Sequence, residues 1–336
     1  MGQAGEPVEK VLAELGEEWL LTHIQSTLKH VKGGRLPIGD DAIELPAKGE
    51  IIASGDMLVS STDVPPGMTP KQIGFKAVTS VVSDFAAKGA HPLYFLIELG
   101  LPSHMKAAEF KDLWSGIIEA ARFYGGEVVA GDTNQACEVV IGVVGIGYSE
   151  APMPRGGARP GDIVAVTGAF GKTFTGLHAV LNAKLEDRWK PLIDAVLNPR
   201  ARLLEGLTIC HARLASASID SSDGLEACLY ELSRSSGVGF KVSDPPIDPL
   251  AQEYAEIHGL NLLDVIFRGG EEYELVITLP PEKLDEAVST LKNIGCNLTL
   301  IGEATHEPSI TVKMGGRSYE LRGRGWTHFK RRAPTG

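Results

Sequence analysis

Short apolar runs of strand character alternate with longer stretches of helical periodicity along this chain, and a Pro-, Gly- and Arg-rich segment at residues 152–162 breaks the pattern near its middle. Sheets and helices that alternate in this way cover one another's apolar faces in layers, so the pattern predicts two α/β or α+β units. At 336 residues the chain is long for one ordinary domain. The break divides it into expected domains at 1–150 and 151–336.

Local signals set the expected elements. Residues 8–30 carry Val11, Leu12, Leu15, Leu20, Leu21, Ile24 and Leu28 at helical spacing, interrupted near Gly16. Two short strands are expected at 51–54 and 57–60, around Gly55-Asp56. Residues 70–88 read as a helix, with Pro70 in the first turn and Ile73, Ala77, Val81 and Phe85 recurring every four residues. A buried strand at 94–101 precedes a helix at 107–124 that Gly125-Gly126 ends. Segments 127–130 and 139–148 are expected as central strands. In the second half, strand 163–167 leads through Gly168 and Gly171 into a helix reaching Leu177. A strand end at 218–220 precedes helix 225–235, and strand 273–279, helix 281–294 and a last strand region at 298–301 complete the series.

A hydrophobic fraction of 43% with 22% charged residues suits a chain able to bury full cores. No apolar run approaches the roughly 20 residues that span a bilayer, so no membrane association is expected. Residues 1–10 are polar and acidic, without a basic segment leading into an apolar one, and a cytoplasmic location is expected. With 32 Lys and Arg against 43 Asp and Glu, the formal net charge is −11, which disfavours nucleic acid as a partner. The dense basic run, Arg322, Arg324, Lys330, Arg331 and Arg332, reads as a solvated tail. An acidic chain still binds nucleotide where metal ions stand between its carboxylates and the phosphates. Cys137, Cys210, Cys228 and Cys296 lie far apart without CxxC spacing, so reduced thiols are expected rather than a zinc site or a disulfide framework.

The chemistry-bearing feature is a set of Asp residues beside Gly or Ser at expected strand-to-turn junctions: Asp40, Asp41, Asp56, Asp84, Asp132, Asp220 and Asp223. Small neighbours let a phosphate or hydrated ion approach the backbone. Magnesium takes oxygen ligands and keeps several waters, so one or two carboxylates per ion suffice beside substrate phosphates. Each Asp alone is ordinary turn chemistry; the set together points to a cation. Gly168-Ala-Phe-Gly171-Lys172-Thr173 lacks the GxxxxGK[ST] spacing of a phosphate loop. No GxGxxG follows a strand, no GxSxG elbow occurs, and His91 and His178 show no metal-ligand spacing.

The ordered motifs resemble the thiamine-monophosphate kinase family of the aminoimidazole-ribonucleotide-synthetase-like superfamily, from Gly39 to about Phe329. They are Gly39-Asp-Asp-Ala, Ser54-Gly-Asp56-Met-Leu-Val, Lys76-Ala-Val with Ser83-Asp84-Phe-Ala-Ala-Lys-Gly-Ala-His-Pro92, and Ala130-Gly-Asp-Thr133. Arg155-Gly-Gly-Ala-Arg-Pro-Gly-Asp162, Val166-Thr-Gly168, Ser218-Ile-Asp-Ser-Ser-Asp-Gly-Leu225 and Gly269-Gly-Glu-Glu-Tyr-Glu-Leu275 follow in order. The resemblance implies magnesium ligands at Asp41, Ser54, Asp56, Asp84, Asp132, Asp220 and Asp223, with Asp84, Asp220 and Asp223 at the centre of catalysis. It implies ATP contacts from Gly131, Asp132, Arg155 and Ser222, and acceptor binding near Asp63, Glu271 and Trp326. The implied reaction passes the γ-phosphoryl of ATP to thiamine monophosphate, in a homodimer whose N-terminal α/β domains share a dimer-spanning β-barrel beside C-terminal α+β domains.

Departures fall on the acceptor side. The family's Ser-Thr-Asp is Ser54-Gly55-Asp56 here, its His-Phe segment reads Thr62-Asp63-Val64, and its late Glu-Asp is Glu271-Glu272. Its stacking Trp falls at about Gly323, with Trp326 nearby. A different ATP-dependent synthetase or kinase of the superfamily, or a non-catalytic nucleotide-binding relative, remains open at this stage. Selenophosphate synthetase is disfavoured by the lack of an N-terminal-region Cys, and the hydrogenase-maturation member by the ending Arg332-Ala-Pro-Thr-Gly.

Overall fold

The computed structural model describes residues 10–28 and 50–321. They divide into two compact units, formed by the described parts of Met1–Phe85 with Ala90–Glu150 and of Ala86–Gly89 with Ala151–Gly336. Asp40, Asp41 and Trp326 lie outside the described residues.

The first unit holds α1 (Leu12–Thr27), β1 (Glu50–Val59), α2 (Ser60–Asp63), α3 (Pro70–Lys88, to Phe85), β2 (His91–Leu101), α4 (Ala107–Phe123), β3 (Glu127–Gln135) and β4 (Val140–Ser149). Its four-stranded sheet has the order β1-β4-β2-β3, with β2 and β3 parallel and the other pairs antiparallel. Gly16 interrupts α1 as expected, with φ 77° outside the helical region. Gly55-Asp56 does not separate two strands. β1 runs unbroken, because Ser54, Gly55 and Asp56 pair in register with Gly145, Val144 and Val143 of β4. The expected central strand at 127–130 is instead the start of an edge strand, and it continues through Gly131-Asp132.

One face of this sheet is covered by α3, whose Val78, Val81, Val82 and Phe85 are fully buried. Each large apolar side chain so buried contributes about 1.5–3 kcal/mol over leaving it in water. Gly145 permits the close approach, since a Cβ there would lie 2.6 Å from Val81 Cγ1. Helix α4 crosses α3 where a Cβ at Gly116 would lie 1.9 Å from the Lys71 carbonyl. The opposite face carries Ile51 and Met57, 61% and 63% exposed, in rows with Tyr148 and Gly142, and Val144 in the row of Gly55.

The second unit contains β5 (Ile163–Val166), α5 (Lys172–Leu181), α6 (Lys190–Leu197), α7 (Leu203–His211), β6 (Ala217–Asp220), α8 (Leu225–Ser236) and β7 (Gly239–Ser243). It continues with α9 (Pro249–His258), α10 (Leu262–Phe267), β8 (Leu275–Leu279), α11 (Leu284–Asn293), β9 (Thr299–Thr305), β10 (Ile310–Met314) and β11 (Arg317–Glu320). The strand region expected to be last is therefore followed by two more strands. The seven-stranded mixed sheet has the order β11-β10-β7-β9-β5-β8-β6. Successive strand residues enter different cores: Val164, Val166 and Val276 pack with Leu225, Leu229 and Leu232 of α8, whereas Ala165, Leu275 and Ile277 pack with Ile209 of α7 and Leu291 of α11. Helices cover both faces, which explains why all five residues of β8 are buried. The whole is a two-domain α+β architecture with mixed sheets. Among the described residues no helix is long and apolar enough to cross a membrane.

Candidate active site

In the first unit, Ser54 and Asp56 stand two residues apart on β1 and so share a face. The Ser54 hydroxyl donates to Asp84 Oδ2, so that face meets α3. Asp84 is not at a strand end, as its Val82-Ser-Asp-Phe setting suggested. It lies in the interior of α3, where the buried Val81, Val82 and Phe85 set the helix's rotation against the sheet. Asp56 is exposed, and its Oδ1 accepts from the Met57 N–H at 2.7 Å. Gly131 and Asp132 sit on β3 at the other edge of the sheet, with β4 and β2 intervening. Ser54, Asp56 and Asp84 thus form one group within this unit, and Asp132 lies on the far edge strand, three strands over from β1. Asp63 closes α2: its Oδ2 accepts from Val59 N–H at 2.7 Å, and its carbonyl accepts from the buried Lys76 Nζ at 2.6 Å. Glu138, passed over in the sequence, accepts from Ser60 Oγ at 2.9 Å and Ser61 N–H at 2.6 Å and anchors the start of that helix.

In the second unit, β6 ends at Asp220 and the turn Ser221-Ser222-Asp223-Gly224 delivers the chain into α8. Gly224 is required there: its φ is 97°, and a Cβ would lie 2.7 Å from the Phe267 carbonyl. Cys228, on the first turns of α8, donates its thiol to the Asp220 carbonyl at 3.2 Å. Burial pushes that thiol well up, the Asp220 and Asp223 charges push it further, and Arg155 opposes them. The charges of Asp220, Asp223 and Arg155 thus all act on the Cys228 thiol at the start of α8. Arg155 also lies 3.6 Å from Glu231 on α8.

The Gly269–Glu274 block closes against this turn. Glu271 N–H donates to Ser222 O at 2.8 Å and Tyr273 N–H to Ser221 O at 3.2 Å. Glu271 and Tyr273 hold φ of 61° and 52°, left-handed conformations that cost non-glycine residues about 1–3 kcal/mol each and persist where surroundings over-determine them. The structure thereby joins Ser222, the neighbour of Asp223, to Glu271, 49 positions further along the sequence, through a strained loop.

Glu272 is a functional candidate that spacing did not single out. Its Oε1 accepts from Gly171 N–H at 2.7 Å and Thr173 N–H at 3.1 Å. It therefore fills the N-terminus of α5 with a carboxylate, which explains why the Gly168–Thr173 loop is no phosphate cradle. Burial pushes the Glu272 carboxyl up to about 7, against the pull of those two amides. A carboxyl raised on folding stabilises below its unfolded value near 4.5, and that contribution is lost as pH rises through about 7. Glu272→Gln retains an acceptor for both amides without the buried charge. It is expected to stabilise the protein by on the order of 2–3 kcal/mol at pH 8 and to change little at pH 4.5. Thermal unfolding at the two pH values measures this, and an equal effect at both would contradict it.

Among the described residues, no three His, Cys, Asp or Glu side chains converge as a ready metal centre. Each unit instead offers oxygen donors in small groups, Ser54 with Asp56 and Asp84 in one and Asp220 with Asp223 in the other. Hard oxygen donors without thiol or imidazole fit magnesium, which is completed by water and substrate phosphate.

The family described as AIR synthase related protein, N-terminal domain, matches residues 39–149, and its C-terminal-domain counterpart matches residues 159–315. The chain is 36% identical over 280 residues to the thiamine-monophosphate kinase of Pyrococcus horikoshii, covering 83% of this chain and 86% of that protein. It is 34% identical over 285 residues to the protein of the same name from Nitrosopumilus maritimus, covering 84% and 90%. Among solved structures, AaThiL complexed with AMPPCP and TMP superposes with a TM-score of 0.76 at 30% identity, covering 95% of this chain and 99% of that one. Hydrogenase maturation protein HypE in complex with ATP, at 19% identity and a TM-score of 0.75, shares the fold.

Proposed function

Because this chain belongs to the thiamine-monophosphate kinase family of AIR synthase related proteins, we propose that it transfers the γ-phosphoryl group of ATP to the phosphate of thiamine monophosphate, giving thiamine diphosphate and ADP. The observation that carries this reading is the clamp of the Glu271–Tyr273 segment on the Ser222–Asp223 turn. It brings the backbone of Glu271, read as an acceptor-side residue, onto the turn that carries Asp223, read as a phosphate-side one.

The acceptor phosphate is already anionic, so its oxygen needs no general base before it attacks. What the protein must supply is in-line placement and relief of charge repulsion among the phosphate oxygens. Asp84 with Ser54 and Asp56, Asp220 with Asp223, and Asp132 and Asp41 are the residues that would hold magnesium. When bound, magnesium supplies charge neutralisation on the transferring and leaving oxygens. Arg155, whose charge acts on the same Cys228 thiol as those of Asp220 and Asp223, offers a cation to the nucleotide phosphates, and Ser222, Gly131 and Asp132 offer further contacts. Glu271, Asp63 and Trp326 serve the acceptor, with Glu271 suited to the cationic part of thiamine monophosphate.

In this reading the first domain, 1–150, binds ATP and magnesium and dimerises, and the second spans 151–336. The exposed Ile51, Met57 and Val144 on one face of an open sheet support a homodimer, because apolar sheet faces of this kind mark interaction surfaces. Two such sheets facing each other would make the dimer-spanning barrel. A cytoplasmic setting belongs to the same reading. Incubation with ATP, magnesium and thiamine monophosphate tests the reading: thiamine diphosphate and ADP are expected in equal amounts. ATP binding without thiamine diphosphate would leave a nucleotide-binding relative in its place.

A further inference from the structure

Arg202 stands immediately before α7, and its guanidinium grips Glu274, 72 positions along the chain, through a planar fork. Nε donates to Oε2 at 2.8 Å and Nη2 to Oε1 at 2.6 Å, while Nη1 donates to Glu205 Oε1 at 3.1 Å. Thr167 Oγ1 donates to Glu274 Oε2 at 2.7 Å. Gly168 leaves the space this carboxylate occupies, since a Cβ there would lie 2.4 Å from Glu274 Oε1. Burial works against the Arg202 charge, but the Glu274 and Glu205 carboxylates outweigh it, and the guanidinium pKa is raised. Two parallel bonds from a rigid fork fix orientation as well as distance.

Glu274 hands that constraint on through its backbone. Its N–H donates to Ser221 Oγ at 2.9 Å, and its carbonyl accepts from Ser221 N–H at 2.8 Å. Ser221 follows Asp220 directly and stands two residues before Asp223. A shift of Glu274 along the β8 direction would rotate the turn that bears both carboxylates, because Tyr273 and Glu271 add their own bonds to Ser221 and Ser222.

We propose that Arg202 is a positioning residue for the phosphate-handling turn: its fork on Glu274 fixes Ser221, and Ser221 fixes the aim of Asp220 and Asp223. The proposal rests on reading those two carboxylates as magnesium ligands. Arg202 acts through Glu274 and needs no contact with nucleotide or acceptor.

Arg202→Met removes the fork and keeps an apolar stem, and Arg202→Lys keeps the charge without the fork. The primary readout is calorimetric binding of AMPPCP as a function of magnesium, which needs no acceptor and no turnover. Arg202→Met is expected to weaken magnesium-dependent binding by about 10–100-fold, the usual cost of losing a partner behind a metal ligand. The kcat falls by a similar factor, KM for thiamine monophosphate moves less than about 3-fold, and Arg202→Lys lies between wild type and Arg202→Met. A variant that melts at lower temperature but binds magnesium and AMPPCP like the wild type overturns the proposal, because the pair would then serve the fold alone. Should Arg202→Met fail to fold, Arg202→Met/Glu274→Gln also removes the buried Glu274 charge that the fork had paired and is measured instead. Wild-type magnesium-dependent binding in that double variant likewise overturns it. Weakened binding in the variants alongside a wild type that does not phosphorylate thiamine monophosphate would sink the functional reading while upholding this one.

Discussion

Asp223→Asn is expected to lower kcat for thiamine diphosphate formation by about 10³-fold, with the melting temperature held within a few degrees of wild type. The substitution conserves shape and removes one negative charge at the turn after β6. That turn is held by backbone bonds from Glu271, Tyr273 and Glu274 and by the φ of Gly224, none of which requires the Asp223 charge. The loss therefore falls on charge neutralisation at the transferring phosphoryl, a term of several kcal/mol. Asp84→Asn is expected to behave alike. Its amide oxygen can still accept from Ser54, and its place in α3 is set by the buried Val81, Val82 and Phe85. ADP release and thermal melts measure both effects. Full activity in either variant would show that the metal ligands are misassigned.

Ile51→Asp is expected to convert a homodimer into a monomer and to abolish turnover with it. Ile51 is 61% exposed at the start of β1, paired with Tyr148, and belongs to the open face that also carries Met57 and Val144. In a monomer an Asp there is solvated and costs the fold little. Facing a second copy, two carboxylates would be desolvated against apolar neighbours and against each other, and each unpaired buried charge costs several kcal/mol. Light scattering after size exclusion gives the mass directly. A wild type that is monomeric at micromolar concentration, or a variant that stays dimeric, would remove the open sheet face from the account.

The periodicity of residues 70–88 foretold α3 to the residue, since Pro70 and the four-residue apolar repeat are local signals. The interruption at Gly16 and the two-unit division into α/β layers were equally legible. The Asp set was recognised by neighbours rather than by position. Gly beside Asp56 and Asp132 suggested turns, yet both lie inside strands, because cross-strand pairing with β4 and β2 holds residues that propensity alone would release. The last two strands were missed, and β10 owes its place to parallel pairing with distant β7. Glu272 had a faint local signal, an acid-rich block after Gly269-Gly270 running straight into a fully buried strand. Arg202 had none, because the contact that gives it meaning is 72 residues away. Asp40, Asp41 and Trp326 fall outside the described residues.

The most direct measurement uses ATP labelled at the γ-phosphorus, with magnesium and thiamine monophosphate, and follows where the label goes. The account predicts that it appears on the terminal phosphate of thiamine diphosphate, in amounts matching ADP. Label recovered as inorganic phosphate, or retained in ATP while thiamine monophosphate stays unchanged, would contradict it.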